Sequence, residues 1–265
     1  MKYMGGKGRI ASPIACEINN IALLENIDTY YEPFVGGGAV IEKVRINNRY
    51  GSDLNRYLIA LYNRLQEPEM FEYPAINKEQ YFNIRSNKDK YADWLVAWCA
   101  VFCSFNGIWF RGWGGDLIDK DGKYINKQLQ SYKQLCIERQ LLKDVHFRHC
   151  SYKDIEKPYH SIIYCDAPYI ATAQYAGAEQ KFNFEEYYNW LIEVSKDNLV
   201  LISEYRMNTD YFKSVKQFYI EGTLSRQHGA KNVNTEQTGV IEQLFIVRGG
   251  WLTDKYYSDD IDFNF

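Results

Sequence analysis

The chain has 265 residues, 46% of them hydrophobic and 25% charged, with a net charge of −3. This balance excludes the disordered, collagen-like and disulfide-scaffold classes and fits an ordinary globular protein. The mildly acidic total also argues against strong nonspecific affinity for nucleic acid, which needs clustered Lys and Arg against phosphate. Local basic groups remain at Lys2, Lys7 and Arg9 and at Lys120, Lys123, Lys127 and Lys133.

In chain order, Ile10, Ile14, Ile18, Ile21 and Leu24 recur at helical spacing through residues 8–28, with Ser12-Pro13 at the start. Residues 29–35 read as a first strand and 39–46 as the helix after it. Asp53 to Arg64 reads as a second helix, with Leu54, Leu58, Leu61 and Leu65 on one stripe. From Pro68 to about Lys143 the strand–helix alternation stops. This segment holds a short helix around Tyr81–Arg85 and an apolar helix from Tyr91 to Ser104. A loop rich in glycine and aromatics, 106–115, follows. Asp121-Gly122 is a hairpin turn signal, and a helix near Gln128–Leu142 closes the segment. The alternation resumes with strands at Val145–Cys150, Ser161–Asp166, Asn198–Ser203, Phe218–Glu221 and Glu242–Val247. A helix at Phe184–Lys196 has Asn183 as its cap, and 225–239 forms a polar loop.

Six cysteines occur with no C-x-x-C, and no Cys/His set has zinc spacing, so neither a metal nor a disulfide framework is expected. No apolar run is long enough to span a bilayer, and no leader pattern opens the chain. The expectation is a cytoplasmic protein with free thiols. Aromatics stand out at 23 Tyr, 14 Phe and 6 Trp. They suit interfaces and base stacking, although compositional bias accounts for most of them.

Two stretches carry chemistry. Ile162-Ile163-Tyr164-Cys165-Asp166-Ala167-Pro168-Tyr169 is an apolar run ending at a carboxylate, a proline and an aromatic that reads as exposed. At the carboxyl end of a strand, such a group can hold a planar, amine-bearing ring; alone, it fits a buried strand and turn equally well. Tyr31-Glu32-Pro33-Phe34-Val35-Gly36-Gly37-Gly38 runs into three glycines that let the backbone approach a ligand closely. The expected helix behind them would present free N–H groups. Asp53 then stands where an acidic residue grips ribose hydroxyls. Singly, the glycines are an ordinary turn and Asp53 a helix cap; their order and spacing together favour a nucleoside-bearing cofactor.

With Tyr3-Met4-Gly5-Gly6-Lys7, Glu32-Pro33-Phe34-Val35-Gly36-Gly37-Gly38, Ser52-Asp53-Leu54-Asn55, Phe105-Asn106-Gly107 and Asp166-Ala167-Pro168-Tyr169 in this order, the chain resembles the Dam-type (D12 class, α group) DNA adenine-N6 methyltransferases, many of them phage-borne. The likeness runs from about residue 2 to about residue 247. It implies an α/β, Rossmann-like S-adenosylmethionine-dependent methyltransferase fold, with a mixed, mostly parallel sheet and helices on both faces. The catalytic domain would span 1–67 and 144–265. An inserted, mainly helical recognition domain, 68–143, would carry a β-hairpin into double-stranded DNA. The resemblance assigns the cofactor S-adenosylmethionine to Tyr3, Lys7, Glu32, Pro33, Phe34, Gly36, Gly38, Asp53 and Asp166. It makes Asp166, Ala167, Pro168 and Tyr169 catalytic. Lys7, Asn106, Trp109, Arg111 and Lys123 are the candidates for DNA contact, and a monomer is expected.

The family motif reads Asp-Pro-Pro-Tyr, and Ala167 stands at its first proline. The backbone carbonyl survives, but the fixed φ of proline is lost, so a functional, slower site is expected. Asp166 and the carbonyl of residue 167 would accept the two amine hydrogens of an extruded adenine, with Tyr169 stacked on the ring. The same chemistry suits cytosine N4 or an RNA amine. The substitution at Ala167 also leaves open a DNA-binding protein with a weakened site.

Overall fold

The structure is a computed structural model. It describes residues 6–115, 117–118, 121–156, 158–169, 182–221 and 239–257. Tyr3, Lys120, most of the polar loop expected at 225–239 and the acidic C-terminal run lie outside the described residues. The chain divides into two compact units, Met1–Ile155 and Glu156–Phe265.

The first unit opens with helix α1, Ala11–Glu25, which buries Ile14, Ile18 and Ile21 as the spacing predicts. Pro13 lies in its first turn, where a missing N–H costs nothing. The helix stops at Asn26, whose left-handed backbone lets its N–H reach the carbonyl of Ala22. Strand β1 is Thr29–Glu32 and β2 is Asn48–Asp53. Helix α2, Arg56–Gln66, is capped by Asn55, whose side chain accepts the N–H of Leu58. Leu58, Leu61 and Leu65 are fully buried along it. Leu54 departs from the expected stripe: it precedes the cap, so no helical period aims it inward, and it is 68% exposed.

The segment after α2 carries helices α3 (Lys78–Ser86) and α4 (Asp93–Phe102), the hairpin of β3 (Leu117–Ile118) and β4 (Tyr124–Ile125), and helix α5 (Lys127–Leu142). Asn77 and Gln80 form a reciprocal capping box on α3. Helix α4 is buried from Val96 through Val101, as an all-apolar helix must be. The Gln128 side chain exchanges two hydrogen bonds with the backbone of Ile76, fastening α5 to the strand-free run before α3. Gln66 of α2 donates to the carbonyls of Leu142 and Val145, tying this segment to strand β5, Val145–His149. Within the unit the strand order is β5-β2-β1, all parallel.

One expected element does not form. Residues 39–46 are not a helix but a series of turns. Glu42 and Val44 donate to Gly38 and Val40, while Lys43 donates one residue short, to Val40. Val40, Ile41 and Val44 are β-branched and buried, which disfavours regular helix. The dipole end expected behind the glycines is therefore missing. Strand β1 also stops at Glu32 rather than continuing to Val35.

The second unit contains β6 (Ile162–Cys165), helix α6 (Phe184–Val194), β7 (Leu199–Glu204), β8 (Phe212–Glu221), β9 (Gly239–Val247) and the short helix α7 (Thr253–Tyr257). Strands β6 and β7 are parallel; β9 runs antiparallel to both β7 and β8. Every residue of β6 and β7 is buried, which is why β6 and the first four residues of β7 read as apolar runs. The Asn183 cap forms as expected, accepting the N–H of Glu186. Asn198, 1% exposed, accepts the N–H of Ser161 and donates to Pro158 and Val194. It thereby joins the end of α6 to the start of β6. Strand β8 begins at Phe212, earlier than the expected Phe218, because its first half pairs with β9 beyond a bulge at Ser214/Lys216. The α/β class and the mixed, mostly parallel strand pairing expected from the sequence are present.

Candidate active-site elements

In the first unit, the turn after β1 is held from several sides. The N–H of Val35 bonds the carbonyl of Ser52, and that of Gly38 bonds Val35. Gly36 and Gly38 have φ of 45° and 68°, a region costly for residues with a Cβ. The Asp53 carboxylate accepts the Gly36 N–H at 3.0 Å with one oxygen and the Asn55 N–H at 2.9 Å with the other. Desolvation raises the pKa of Asp53, and these backbone donors offset part of the rise. Asp53 thus ends β2 and anchors the glycine turn, while Asn55 takes the capping role.

The Gly36 carbonyl is engaged as well. It accepts from the Tyr62 hydroxyl at 2.8 Å, and the Tyr62 ring lies parallel to Phe147 at 4.2 Å. Tyr62 was not legible as a site residue: it reads as one more apolar position on α2. Glu32 is 3% exposed and accepts from the Tyr30 hydroxyl at 2.8 Å. Pro33 is buried, and Phe34 packs on Tyr152 with ring centroids 5.4 Å apart. Lys7 is 8% exposed, unlike a solvated terminal charge, and its carbonyl accepts the N–H groups of Ile10 and Ala11 at the start of α1.

A carboxylate has about four acceptor positions, and the backbone donors Gly36, Asn55 and Leu54 leave room on Asp53 for a ribose hydroxyl. With Asp53 and Gly36 both partly exposed at this turn, the residues present fit an adenosine-bearing cofactor.

In the second unit, β6 delivers Asp166 and Pro168, both partly exposed, and Ala167 and Tyr169, both buried. Tyr169 is buried, contrary to the exposed aromatic expected from the sequence. Tyr169 is 8% exposed because its hydroxyl donates to Glu242 at 2.6 Å and its ring meets Tyr205 edge-on at 4.7 Å. Burial is the main cause of its strongly raised pKa, with the nearby Asp166 and Glu242 adding to it. Tyr187, behind the strand beside Cys165, is likewise pushed up by burial. A small pocket is lined by Ala167, Pro168, Tyr188, Ile202, Ser203 and Glu204, among others. Burial, with Glu204 close by, moves the Tyr188 hydroxyl up to about 12.

The candidate DNA contacts all lie in the first unit. Asn106 and Arg111 are exposed, as is Lys123 beside the hairpin turn. Trp109 is half-buried against Tyr57, with centroids 6.0 Å apart. The loop bearing Asn106, Trp109 and Arg111 is closed by bonds from Phe105 to Gly112 and from Gly114 to Cys103. A Cβ at Gly114 would fall 2.5 Å from the Ser104 backbone, so the loop's shape depends on that glycine. Among the described residues, no group of three or more His, Cys, Asp or Glu is placed to hold a metal ion, and no helix is long and apolar enough to cross a membrane.

A parallel-stranded α/β frame, a glycine turn anchored by an acidic strand end and an Asp-x-Pro-Tyr strand end define a nucleoside-cofactor enzyme of the methyltransferase class. The family model for D12 class N6 adenine-specific DNA methyltransferases matches residues 3–215, and the chain belongs to that family. Its members are S-adenosylmethionine-dependent adenine-specific DNA methyltransferases. The type II methyltransferase M.MjaIII of Methanocaldococcus jannaschii is 29% identical over 197 residues, covering 64% of this chain and 68% of that protein. A solved structure, SMU.472, a putative methyltransferase complexed with SAH, aligns over 91% of this chain at 13% identity with a TM-score of 0.31. The chain spans 54% of that structure's length.

Proposed function

We propose that this chain transfers a methyl group to adenine N6 in double-stranded DNA, acting on a base turned out of the helix. Family membership supports the reaction class, and the observation that carries the site reading is the placement of Asp166 and the residue 167 carbonyl at the end of β6. Adenine N6 is a poor nucleophile because its lone pair is delocalised into the ring. Two acceptors on its two hydrogens favour a tetrahedral nitrogen and free that pair. Asp166 supplies one acceptor, and the backbone oxygen of Ala167 the other. Pro168 fixes the chain direction between them and Tyr169, whose ring stacks on the base.

When bound, S-adenosylmethionine would supply an electrophilic methyl group to the amine, its C–S bond breaking to the neutral thioether as the C–N bond forms and the amine's surplus proton passing to Asp166 or water. The glycine turn, with Asp53 on the ribose hydroxyls and Lys7, Glu32, Pro33 and Phe34 around it, holds that cofactor. The protein's contribution is chiefly positioning, which can supply much of the acceleration. Residues 68–143 act as the target-recognition domain, with Asn106, Trp109, Arg111 and Lys123 contacting base edges or phosphate. Extruding the base exposes an amine that is otherwise paired and shielded.

The test is methylation of unmethylated DNA with methyl-labelled S-adenosylmethionine, followed by nucleoside analysis. Label in N6-methyladenine is expected. Label in N4-methylcytosine, or incorporation into RNA alone, would overturn the reading, as would no incorporation at any protein level.

A further inference from the structure

We infer that Glu242 is a positioning residue for the reaction and acts through the hydroxyl of Tyr169. This deepens the site reading above and rests on it. Glu242 lies on β9, outside residues 3–215 matched by the family model. It is 4% exposed, and its Oε1 accepts the Tyr169 hydroxyl at 2.6 Å. That length lies in the range of the stronger, charge-assisted hydrogen bonds to carboxylates.

The neighbouring contacts give the bond a direction. Strand β9 pairs antiparallel with β7, with Glu204 opposite Gln243. Gln243 donates to the carbonyl of Tyr205 at 2.8 Å, and the Tyr205 ring meets Tyr169 at 82° with centroids 4.7 Å apart. Two consecutive residues of β9 therefore fasten the two aromatics that face each other beside Asp166. Tyr169 lies four residues beyond the end of β6, in irregular backbone, so no ladder holds its backbone there. The Tyr169 ring is held at its edge by Tyr205 and at its far end by Glu242.

A stacked ring tilted or withdrawn by a small distance would misplace the base amine against Asp166. The loss would appear in kcat, with cofactor binding spared, because positioning errors at the reacting atoms act on the chemical step.

The experiment uses the full chain, unmethylated genomic DNA and methyl-labelled S-adenosylmethionine. Glu242→Ala is expected to lower kcat about tenfold with the KM for S-adenosylmethionine within about twofold. Glu242→Gln, which keeps an acceptor oxygen, is expected to recover kcat to within about threefold of the parent. Tyr169→Phe is expected to match Glu242→Ala, and the double variant to be no slower than the slower single, as two ends of one bond require. If Glu242→Ala melts below the assay temperature, Glu242→Asp, which withdraws the oxygen by one methylene, takes its place in the cycle.

Multiplying effects in the double variant, or an unchanged kcat beside a lowered thermal midpoint, would overturn the inference and leave the site reading standing. An unchanged kcat in Tyr169→Ala would overturn both.

Discussion

The hydroxyl of Tyr62 donates to the carbonyl of Gly36 at 2.8 Å, while the N–H of the same glycine is held by Asp53 at 3.0 Å. One peptide turn is thus gripped at its donor by a strand end and at its acceptor by a helix. Neither grip uses the helix dipole that the sequence led one to expect behind the glycines.

Removing the phenol oxygen tests the acceptor-side grip. Tyr62→Phe keeps the stack on Phe147 and loses one buried hydrogen bond, so stability should fall by about 1 kcal/mol. If the turn's shape sets the cofactor site, the Kd for S-adenosylmethionine should rise by about fivefold, the equivalent of that energy. Thermal melts and calorimetric titration check the two effects. A lowered midpoint with unchanged Kd would separate Tyr62 from the site.

Gly38→Ala tests the turn itself. At a φ of +68° an added Cβ costs roughly 1–2 kcal/mol from the backbone alone. The same Cβ would sit 2.8 Å from the Tyr62 hydroxyl but 3.4 Å from the ring carbon that bears it. Deleting that hydroxyl relieves the closest clash, so Gly38→Ala with Tyr62→Phe should be more stable than the two single losses add up to. Denaturant unfolding of the four proteins measures the coupling, and strict additivity would contradict the geometry.

Asp53 sets a pH dependence. Its pKa is raised above the ordinary 3.8, chiefly by desolvation. The folded chain therefore holds this proton more tightly than the unfolded chain does. The stabilising contribution is fully present below the ordinary value and is lost as pH rises through the raised one. Cofactor affinity should run the other way. Protonation removes an acceptor from the ribose site, so binding should weaken as pH falls through the raised pKa, above 3.8. Asp53→Asn should bind S-adenosylmethionine about tenfold more weakly at neutral pH, for the loss of a charged acceptor. Its affinity should be flat across the window in which the parent changes. Titrations of both proteins at several pH values decide it.

The end of β6 predicts two opposite changes. Asp166→Asn should lower kcat by about 10²- to 10³-fold, the usual effect of removing one group aimed at the reacting atoms. Ala167→Pro restores the residue of the family motif and restrains the backbone on either side. It should raise stability by about 0.4–1 kcal/mol where the backbone is compatible and raise kcat if that restraint better positions the residue 167 carbonyl. Single-turnover methylation measures both. An unchanged rate in Ala167→Pro would make the alanine neutral.

Local rules accounted for much of the architecture. The apolar stripe of α1, the Asp121-Gly122 hairpin, the Asn183 cap and the apolar runs of β6 and of Leu199–Ile202 in β7 are each written in a few neighbouring residues. The order and spacing of the glycines and Asp53, taken together, favoured a nucleoside-bearing cofactor. The failures share a cause. The helix expected at 39–46 gave way to turns because burial of Val40, Ile41 and Val44 outweighed a weak local pattern. Leu54 continued a stripe in sequence but stood outside the helix in space.

What the sequence alone determined, then, was most of the regular elements and the polar residues that cap them, since caps, turns and periodicity act within a few residues. Only tertiary structure could decide that Tyr169 is buried against Glu242, some seventy positions away, or that Tyr62 closes the glycine turn. A hydrogen bond between distant residues depends on strand pairing and helix packing, and neither partner carries a local mark of the other.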